Sequence, residues 1–419
     1  MIKKLFYLVG LLLFTQPFYT QAEELGRASI APSIVTLETG QQQKFKIIKM
    51  AQPLRPASLA ENVKWYVNDV PWGNKEIGTI DANGMYKAPA KVPSPREIHI
   101  VGVVDGVANP KLFATVLIDS DKPLYELVYQ YSNSKSAKDS KYFTKGHCIT
   151  MDKDGNLIIV DSNGFRLSRF TPKGQYIGEL GAGTGNNLGQ VIMPRAAIVD
   201  REGNIFVSDQ KPFGKRIQVF SNDGKLLRAF GDMGTGPGEI LRAHGMDFDT
   251  DGNLYVIDVD ATRVDIYTHD GKFIKSWGDD ESYRWYFDAP HGLSVDPNND
   301  VFISDYYGNM LKFDKDGRFL RKFFEADPPD SSVYIHSMSD DKWGNAYAMV
   351  RSSRGYGGEV EVSNKSVASV LKFNDNGDYV GSVSLKVATH TGDWVYIDDK
   401  DYLYVVFEEE VGFAVYKPL

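Results

Sequence analysis

The chain has 419 residues, of which 42% are hydrophobic and 12% aromatic, and its formal net charge is −8. An acidic chain without a cluster of lysine and arginine argues against binding to nucleic acid. Its single cysteine, Cys148, excludes an intramolecular disulfide, so apolar cores must hold the fold together.

Residues 1–22 predict a secretory signal peptide. Lys3 and Lys4 precede an apolar run over Leu5–Phe14, and Ala22 offers a small residue for cleavage. The run is too short to span a bilayer, and no later stretch is long and apolar enough for a membrane helix. We therefore expect an exported protein, periplasmic or extracellular, with no transmembrane segment.

Residues 28–119 predict a module of short strands. Trp65 lies in an alternating strand, where its ring would fill the gap between two sheets. The run Gly78–Pro89 resembles the signature of bacterial Ig-like domains, and Pro32–Gly40 resembles their opening strand. The resemblance implies an Ig-like β-sandwich that acts as a spacer or an adhesive module. The short linker Asp119–Pro123 predicts a restricted orientation relative to the next domain.

Residues 124–419 repeat the motif Asp-x-x-Gly-Asn, followed by alternating apolar residues, about every 45–50 residues. The first aspartate of the six copies, of which the last two are weaker, is Asp152, Asp200, Asp249, Asp296, Asp341 and Asp398. Most copies contain a second turn of the Asp-Gly or Asn-Gly type between apolar runs, which is a strong signal for a hairpin. Each copy thus predicts four antiparallel strands, or one blade, and six copies predict a six-bladed β-propeller.

The last copy supplies only three strands after Ala388. The missing fourth strand resembles Leu124–Tyr131, which precedes the first copy and matches Lys272–Trp277 in pattern. If this N-terminal strand completes the last blade, the ring is closed and no sheet edge stays open. The predicted fold class is therefore all-β, with an Ig-like β-sandwich over 28–119 and a closed six-bladed propeller over 124–419.

The segment from Trp277 to Asp305, with Pro290-His291-Gly292 at its centre, closely resembles the NHL repeat. The resemblance covers residues 124–419 and is weaker in the last two blades, where Val350 and Phe407 replace the aspartate that ends the second strand. NHL propellers serve as binding platforms and as enzymes, so the resemblance implies a fold but no single function.

The strongest signal for a site is the residue five positions before the first aspartate of each repeat. At the start of the innermost strand, it is in turn His147, Arg195, His244, His291, His336 and Asp393. His147, His244 and His336 belong to alternate blades, about 120° apart around a six-bladed ring. Three neutral imidazoles with an open fourth position suit zinc or another divalent transition metal, and His291 is an additional candidate ligand. Alternatively, these imidazoles hydrogen-bond neighbouring loops and bind no metal.

This arrangement resembles peptidyl-hydroxyglycine amidating lyase, a six-bladed propeller of this repeat family that binds zinc through three channel histidines. The resemblance implies that Tyr307 acts as a catalytic base and that Arg351 holds the substrate carboxylate. Zinc would polarise the hydroxyl of the substrate. Gln210 stands where that family has a second arginine, so Lys211 or Arg195 would have to replace it.

Two functions remain open from the sequence. One is an exported binding or scaffold protein whose channel face takes a protein, a peptide or a small molecule. The other is a metal-dependent carbon–nitrogen lyase. The missing second arginine favours the binding hypothesis. The insert Arg351–Ser366, rich in Gly, Ser and charge, predicts a lid or a partner-binding loop.

Overall fold

The computed structural model describes residues 28–32, 34–51, 55–107, 110–120, 122–132, 142, 144–210, 214–278, 290–305, 308–324, 333–352, 369–385, 392–407 and 412–419. All regular secondary structure in these ranges is β-strand. None of the described residues belongs to a helix long and apolar enough to cross a membrane. The predicted signal peptide lies outside the described residues.

Twelve strands precede the repeats. They are β1 (Ala28–Ala31), β2 (Ile34–Glu38), β3 (Gln42–Lys44), β4 (Lys46–Ala51), β5 (Arg55–Leu59), β6 (Lys64–Val67), β7 (Val70–Pro71), β8 (Gly73–Asn74), β9 (Gly78–Ile80), β10 (Met85–Lys87), β11 (Glu97–Val103) and β12 (Lys111–Asp119). They form three sheets with the strand orders β1-β4-β5, β3-β10-β9-β8 and β2-β12-β11-β6-β7. β2 and β12 pair in parallel, and the other pairs are antiparallel.

Trp65 lies at the centre of the core of this N-terminal region. Its side chain is 3% exposed and packs in one apolar cluster with residues of all three sheets. A Cβ on Gly102 would lie 3.0 Å from the indole and 2.4 Å from Ile47, so only glycine fits there without a shift. The ring is thus buried among residues of three sheets, and the two-sheet Ig-like sandwich stays a prediction.

Twenty-four further strands form six four-stranded antiparallel sheets, which we number as blades. Blade 1 contains β14 (Gly146–Met151), β15 (Leu157–Asp161), β16 (Arg166–Phe170) and β17 (Tyr176–Leu180). Blade 2 contains β18 (Pro194–Val199), β19 (Ile205–Asp209), β20 (Ile217–Phe220) and β21 (Leu226–Phe230). Blade 3 contains β22 (Ala243–Phe248), β23 (Leu254–Asp258), β24 (Arg263–Tyr267) and β25 (Phe273–Trp277).

Blade 4 contains β26 (Pro290–Val295), β27 (Val301–Asp305), β28 (Met310–Phe313) and β29 (Phe319–Phe324). Blade 5 contains β30 (Val333–Asp340), β31 (Ala346–Ser352), β32 (Ser369–Phe373) and β33 (Tyr379–Ser384). Blade 6 contains β34 (Gly392–Ile397), β35 (Leu403–Phe407), β36 (Gly412–Pro418) and the N-terminal strand β13 (Tyr125–Ser132). β13 pairs antiparallel with β36, which is the pairing that the sequence predicted.

The repeated Asp-x-x-Gly-Asn phrase forms the turn between the first two strands of each blade. In blade 1, the Asp152 carboxylate accepts hydrogen bonds from the amides of Asp154 and Asn156, at 2.9 and 2.8 Å. Gly155 takes a φ of +82°, a conformation that costs glycine little. In blade 4 the same place holds Asn299 at +66°, since asparagine also tolerates this region. The six inner strands contact one another in the order β14, β18, β22, β26, β30 and β34, and β34 also contacts β14.

The N-terminal region packs on blade 5. The carboxylate of Asp119 accepts hydrogen bonds from the Tyr379 hydroxyl at 2.7 Å, from the Ser382 amide at 3.1 Å and from the Ser382 hydroxyl. Leu117 is fully buried in an apolar cluster with blade 5 residues that include Phe373. These contacts agree with the restricted orientation predicted from the short linker.

Replacing Asp119 by alanine is expected to lower the free energy of unfolding by about 2 kcal/mol, because the donors of Tyr379 and Ser382 lose their acceptor in a partly buried contact. Urea unfolding measures the change. Asp105→Ala, an exposed aspartate of the same region, is the control and should leave stability nearly unchanged. Equal effects of the two substitutions would contradict a role of Asp119 in docking.

Candidate metal centre in the central channel

A β-bulge opens the innermost strand of every blade at the residue that the sequence analysis singled out. The pairing register between the first and second strands shifts at His147, Arg195, His336 and Asp393. In blades 3 and 4 the shift spans two residues, which are His244 with Gly245 and His291 with Gly292. A bulge leaves its extra residue out of the ladder and re-aims the side chain. The repeat thus places one bulged residue per blade at the same level of the ring.

The structure brings all four histidines together. The ring centroid of His147 lies 5.0 Å from that of His244, 5.4 Å from that of His336 and 6.4 Å from that of His291. The ring of His291 lies between those of His244 and His336, with centroid distances of 3.7 and 4.3 Å. The His244–His336 distance is 6.3 Å. The four side chains are between 3% and 5% exposed, so the cluster is almost closed to solvent.

Three of these imidazoles form hydrogen bonds that link neighbouring blades. Nδ1–H donates from His147 to the Arg195 carbonyl at 2.9 Å. The same bond runs from His244 to the His291 carbonyl at 3.2 Å, and from His291 to the His336 carbonyl at 2.8 Å. The alternative prediction was that these imidazoles hydrogen-bond neighbouring loops, whereas the acceptors are carbonyls of the neighbouring inner strands. These bonds also set the tautomer, because a neutral ring that donates from Nδ1 carries its lone pair on Nε2.

Two of these histidines, His147 and His244, are held in the neutral form. Burial, with the nearby Arg195 guanidinium and His291 as lesser causes, keeps the pKa of His147 well below its usual range. Burial also keeps the pKa of His244 well below its usual range, and the three other histidines contribute. A neutral imidazole with a carbonyl on Nδ1 is the form in which histidine binds metals.

The distances between the ring centroids of His147, His244 and His336 fit a metal ion better than the distances between their nitrogen atoms do. Metal–nitrogen bonds of about 2.0–2.1 Å in a tetrahedral site separate the imidazole centres by about 5 Å. The observed centroid distances are 5.0, 5.4 and 6.3 Å. Among the described residues, however, only Asp200, Glu202 and His269 place three potential ligand atoms within 4.8 Å of one another. Binding in the channel would therefore require the rings to rotate inward.

Other predicted site residues are described only in part. Tyr307, Lys211 and most of the insert after Arg351 lie outside the described residues. The backbone of Arg351 belongs to β31 and pairs with Tyr334. Arg195 lies in blade 2, where its Nε donates to Gln210 Oε1 at 3.1 Å. A guanidinium therefore lies near His147, on the blade that carries Gln210.

Trp394 belongs to the channel and was not among the predicted site residues. Trp394 lies in β34 of blade 6. Its indole centroid is 6.1 Å from the ring centroid of His147 and 6.0 Å from that of His244. The sequence indicates the unusual position of Trp394 by comparison with the other blades. The residue after the bulged one is small in the other five blades: Cys148, Ala196, Gly245, Gly292 and Ser337. Trp394 is therefore a large side chain at a position where the other five blades have a small one.

Comparison with known proteins agrees with the architecture. The family DUF5128, described as a 6-bladed beta-propeller, matches residues 192–281. The repeat region is a six-bladed β-propeller. Over 122 residues the chain is 26% identical to Protein brain tumor of Drosophila melanogaster, a stretch covering 29% of this chain and 11% of that protein. This similarity supports repeats of the NHL type in the propeller.

The chain is also similar to solved structures. A structural genomics protein of unknown function from Bacteroides thetaiotaomicron has a TM-score of 0.51 at 12% identity, covering 94% of this chain and 98% of that one. Virginiamycin B lyase from Staphylococcus aureus has a TM-score of 0.45 at 12% identity, covering 85% of this chain and 100% of that one. A gluconolactonase from Xanthomonas campestris has a TM-score of 0.49 at 12% identity, covering 71% and 96%. The similarity to the Bacteroides protein supports the fold alone.

Proposed function

We propose that this protein is an exported binding protein whose propeller channel holds a transition-metal ion, zinc in the first place, on His147, His244 and His336. The ligand is a protein, a peptide or a small molecule that reaches the ion or its surroundings from the channel face. The observation that carries the proposal is the convergence of buried imidazoles from alternate blades, with centroid distances of 5.0 and 5.4 Å from His147.

The remaining parts of the proposal rest on the sequence. Export follows from the signal peptide predicted over residues 1–22. We propose an Ig-like β-sandwich over 28–119 as a spacer, because Trp65 is buried between sheets there. We also propose that β13 closes the propeller ring, which its pairing with β36 supports. The acidic net charge of −8 argues against a nucleic acid as the ligand.

The alternative is a zinc-dependent lyase that resembles peptidyl-hydroxyglycine amidating lyase. It would use the same three histidines as ligands, Tyr307 as the base and Arg351 for the substrate carboxylate. Arg195 supports this alternative, because it places a guanidinium next to His147 on the blade that lacks the second arginine. His291 argues against the lyase. Its ring centroid lies 3.7 Å from that of His244, so this fourth imidazole occupies the space where the open coordination position of the metal would be.

Elemental analysis tests the metal directly. The protein is purified without a histidine tag, beside a His147→Ala/His244→Ala/His336→Ala variant. We expect about one zinc or other transition ion per chain in the wild type and none in the variant. Thr150→Ala, a buried change on the same inner strand as His147, controls for disturbance of the fold. Absence of metal from a folded wild-type protein reconstituted with zinc would end both proposals.

If metal is present, hydroxyglycine peptides separate the two functions. Turnover that depends on the metal and is lost in Tyr307→Phe supports the lyase. A metal-loaded protein without turnover supports the binding function, and its ligand can then be sought at the channel face. Because metal content and turnover are measured separately, the outcome assigns the site even when no substrate is found.

A further inference from the structure

A second group of potential metal ligands lies where blades 2 and 3 meet. Asp200 and Glu202 belong to the turn between β18 and β19, and His269 belongs to the turn between β24 and β25. Each residue places one ligand atom within 4.8 Å of those of the other two. Five residues of extended strand separate Asp200 from Arg195 at the channel bulge, or about 16 Å. The group is therefore distinct from the channel histidines.

Both carboxylates approach the same nitrogen of the imidazole. His269 Nε2 lies 2.8 Å from Asp200 Oδ2 and 3.7 Å from Glu202 Oε2. In a tetrahedral site with bonds of about 2.0–2.1 Å, the ligand atoms lie about 3.3 Å apart, so shifts of about 0.5 Å would place these atoms around one ion. An imidazole nitrogen donates at most one hydrogen bond, which serves the nearer carboxylate alone. A cation would bind all three groups.

Contacts with both blades fix the imidazole in this place. The His269 carbonyl accepts a hydrogen bond from Arg228 Nη2 of blade 2 at 2.7 Å. The ring lies against Phe206 of blade 2 and Phe248 of blade 3, with centroid distances of 5.6 and 6.5 Å. Little side-chain freedom is left for an ion to remove.

The Asp200 carboxylate is also held in position. Its side chain is 4% exposed. Oδ1 accepts from the backbone amide of Asn204 at 2.6 Å, and Oδ2 accepts from the side-chain amide of Asn204 at 2.7 Å. Outer hydrogen bonds of this kind orient the carboxylates that bind metals in proteins.

Other blades provide the corresponding aspartate with a cation of their own. Arg169 pairs with Asp152 at 3.0 Å, Lys312 with Asp296 at 3.0 Å, and Lys372 with Asp341 at 3.6 Å. Blade 2 has the apolar Val219 at the position of these cations, and Asp200 faces His269 of the next blade instead. In blades 1, 2, 4 and 5 the residue at the position of His269 is Pro172, Asn222, Lys315 and Asp375. The repeat therefore does not require an imidazole at this turn.

We propose that Asp200, Glu202 and His269 bind a transition ion of the zinc class at the junction of blades 2 and 3. One imidazole nitrogen and two carboxylate oxygens are ligands that suit zinc, with water in the fourth position. Two carboxylates match the charge of one divalent ion. Because the Glu202 side chain is 67% exposed, the ion exchanges with solvent and is lost when the protein is dialysed before elemental analysis. This site does not depend on the function proposed above.

Zinc binding is measured by calorimetry on the dialysed full-length protein beside Glu202→Gln, which should fold as the wild type does because the side chain is mostly exposed. We expect the wild type to bind one more zinc ion per chain than this variant, whatever the channel holds, since loss of a ligand weakens binding at least tenfold. His269→Gln should lose the same ion, and the triple histidine variant of the channel should keep it. Zinc should also raise the Tm of the wild type by a few degrees more than that of Glu202→Gln.

Asp251→Asn is the matched control and should leave zinc binding unchanged. Asp251 is exposed and occupies the repeat position of Glu202 in blade 3, but the next blade has Lys315 in place of the histidine. Equal zinc binding by the wild type and Glu202→Gln would overturn the proposal and leave Asp200 and His269 as a hydrogen-bonded pair. An equal loss in Asp251→Asn would overturn it by showing unspecific uptake by exposed carboxylates. Calcium that binds as tightly as zinc would contradict the imidazole as a ligand.

Discussion

Replacing Asp258 by alanine is expected to lower the free energy of unfolding by about 3 kcal/mol or more. Asp258 ends the second strand of blade 3 and is fully buried. Its carboxylate accepts hydrogen bonds from the amides of Leu241 at 2.7 Å, Arg242 at 2.9 Å and Ala261 at 3.3 Å. Alanine would leave these three amides without their acceptor, and a buried unsatisfied amide costs about 1–3 kcal/mol.

The same contact recurs around the propeller, which is why the effect should be large. Asp161 accepts from the amides of Thr144 and Lys145, and Asp209 accepts from that of Met193. In each case the amides lie just before the innermost strand. The aspartate therefore fixes the chain at the point where it enters the channel, and its loss should loosen the adjacent histidine position as well as the blade.

Urea unfolding measures this prediction, with Asp260→Ala as the control. Asp260 lies two residues away and pairs with Arg242 at 2.7 Å, but both side chains are about half exposed. Surface pairs of this kind contribute about 1 kcal/mol or less. A loss below about 1 kcal/mol in Asp258→Ala, or equal losses in the two variants, would show that the strand-ending aspartate is dispensable.

Much of the fold could be predicted because the residues of each turn are enough to identify the repeat. Glycine at positive φ and a carboxylate that caps its own turn recur in nearly every copy, as in Asp152 and Gly155. The pairing of β13 with β36 followed from counting strands in the last copy. The short strands β7 and β8 were not predicted, since two-residue strands carry no period.

The site was predictable only in its outline. The bulge position that carries His147 and His291 repeats at fixed spacing and could be found. The role of His291, an additional candidate ligand, could not be decided from the sequence, because the repeat does not give the width of the channel. In the structure the channel is narrow enough for His291 to lie 3.7 Å from His244. Trp394 lies against His147 of another blade, and Asp247 accepts from the Val295 amide of the next blade. Such contacts depend on packing distances that no single repeat encodes.

The pH dependence of stability should differ between the wild type and a His147→Gln/His244→Gln variant, both measured in EDTA. Burial lowers the pKa of both histidines in the folded state, whereas the unfolded chain takes up protons near the ordinary histidine pKa of about 6.5. Below that pH the unfolded state therefore binds more protons, and the wild type loses stability relative to the variant. Each histidine contributes about 1 kcal/mol per pH unit, and the loss continues until the folded-state pKa is reached.

Asp247→Asn provides a comparison of opposite sign. The folded-state pKa of Asp247 is raised to about 6, so between that pH and about 4 the folded wild type binds a proton that the unfolded chain does not. The wild type should thus gain stability relative to Asp247→Asn as the pH falls through this window, while it loses stability relative to the histidine variant. Urea unfolding of the three proteins between pH 7.5 and 4.5 measures both slopes. Parallel curves for the wild type and the histidine variant would mean that the channel imidazoles take up protons in the folded protein, which would also remove the neutral ligands that the proposed metal site requires.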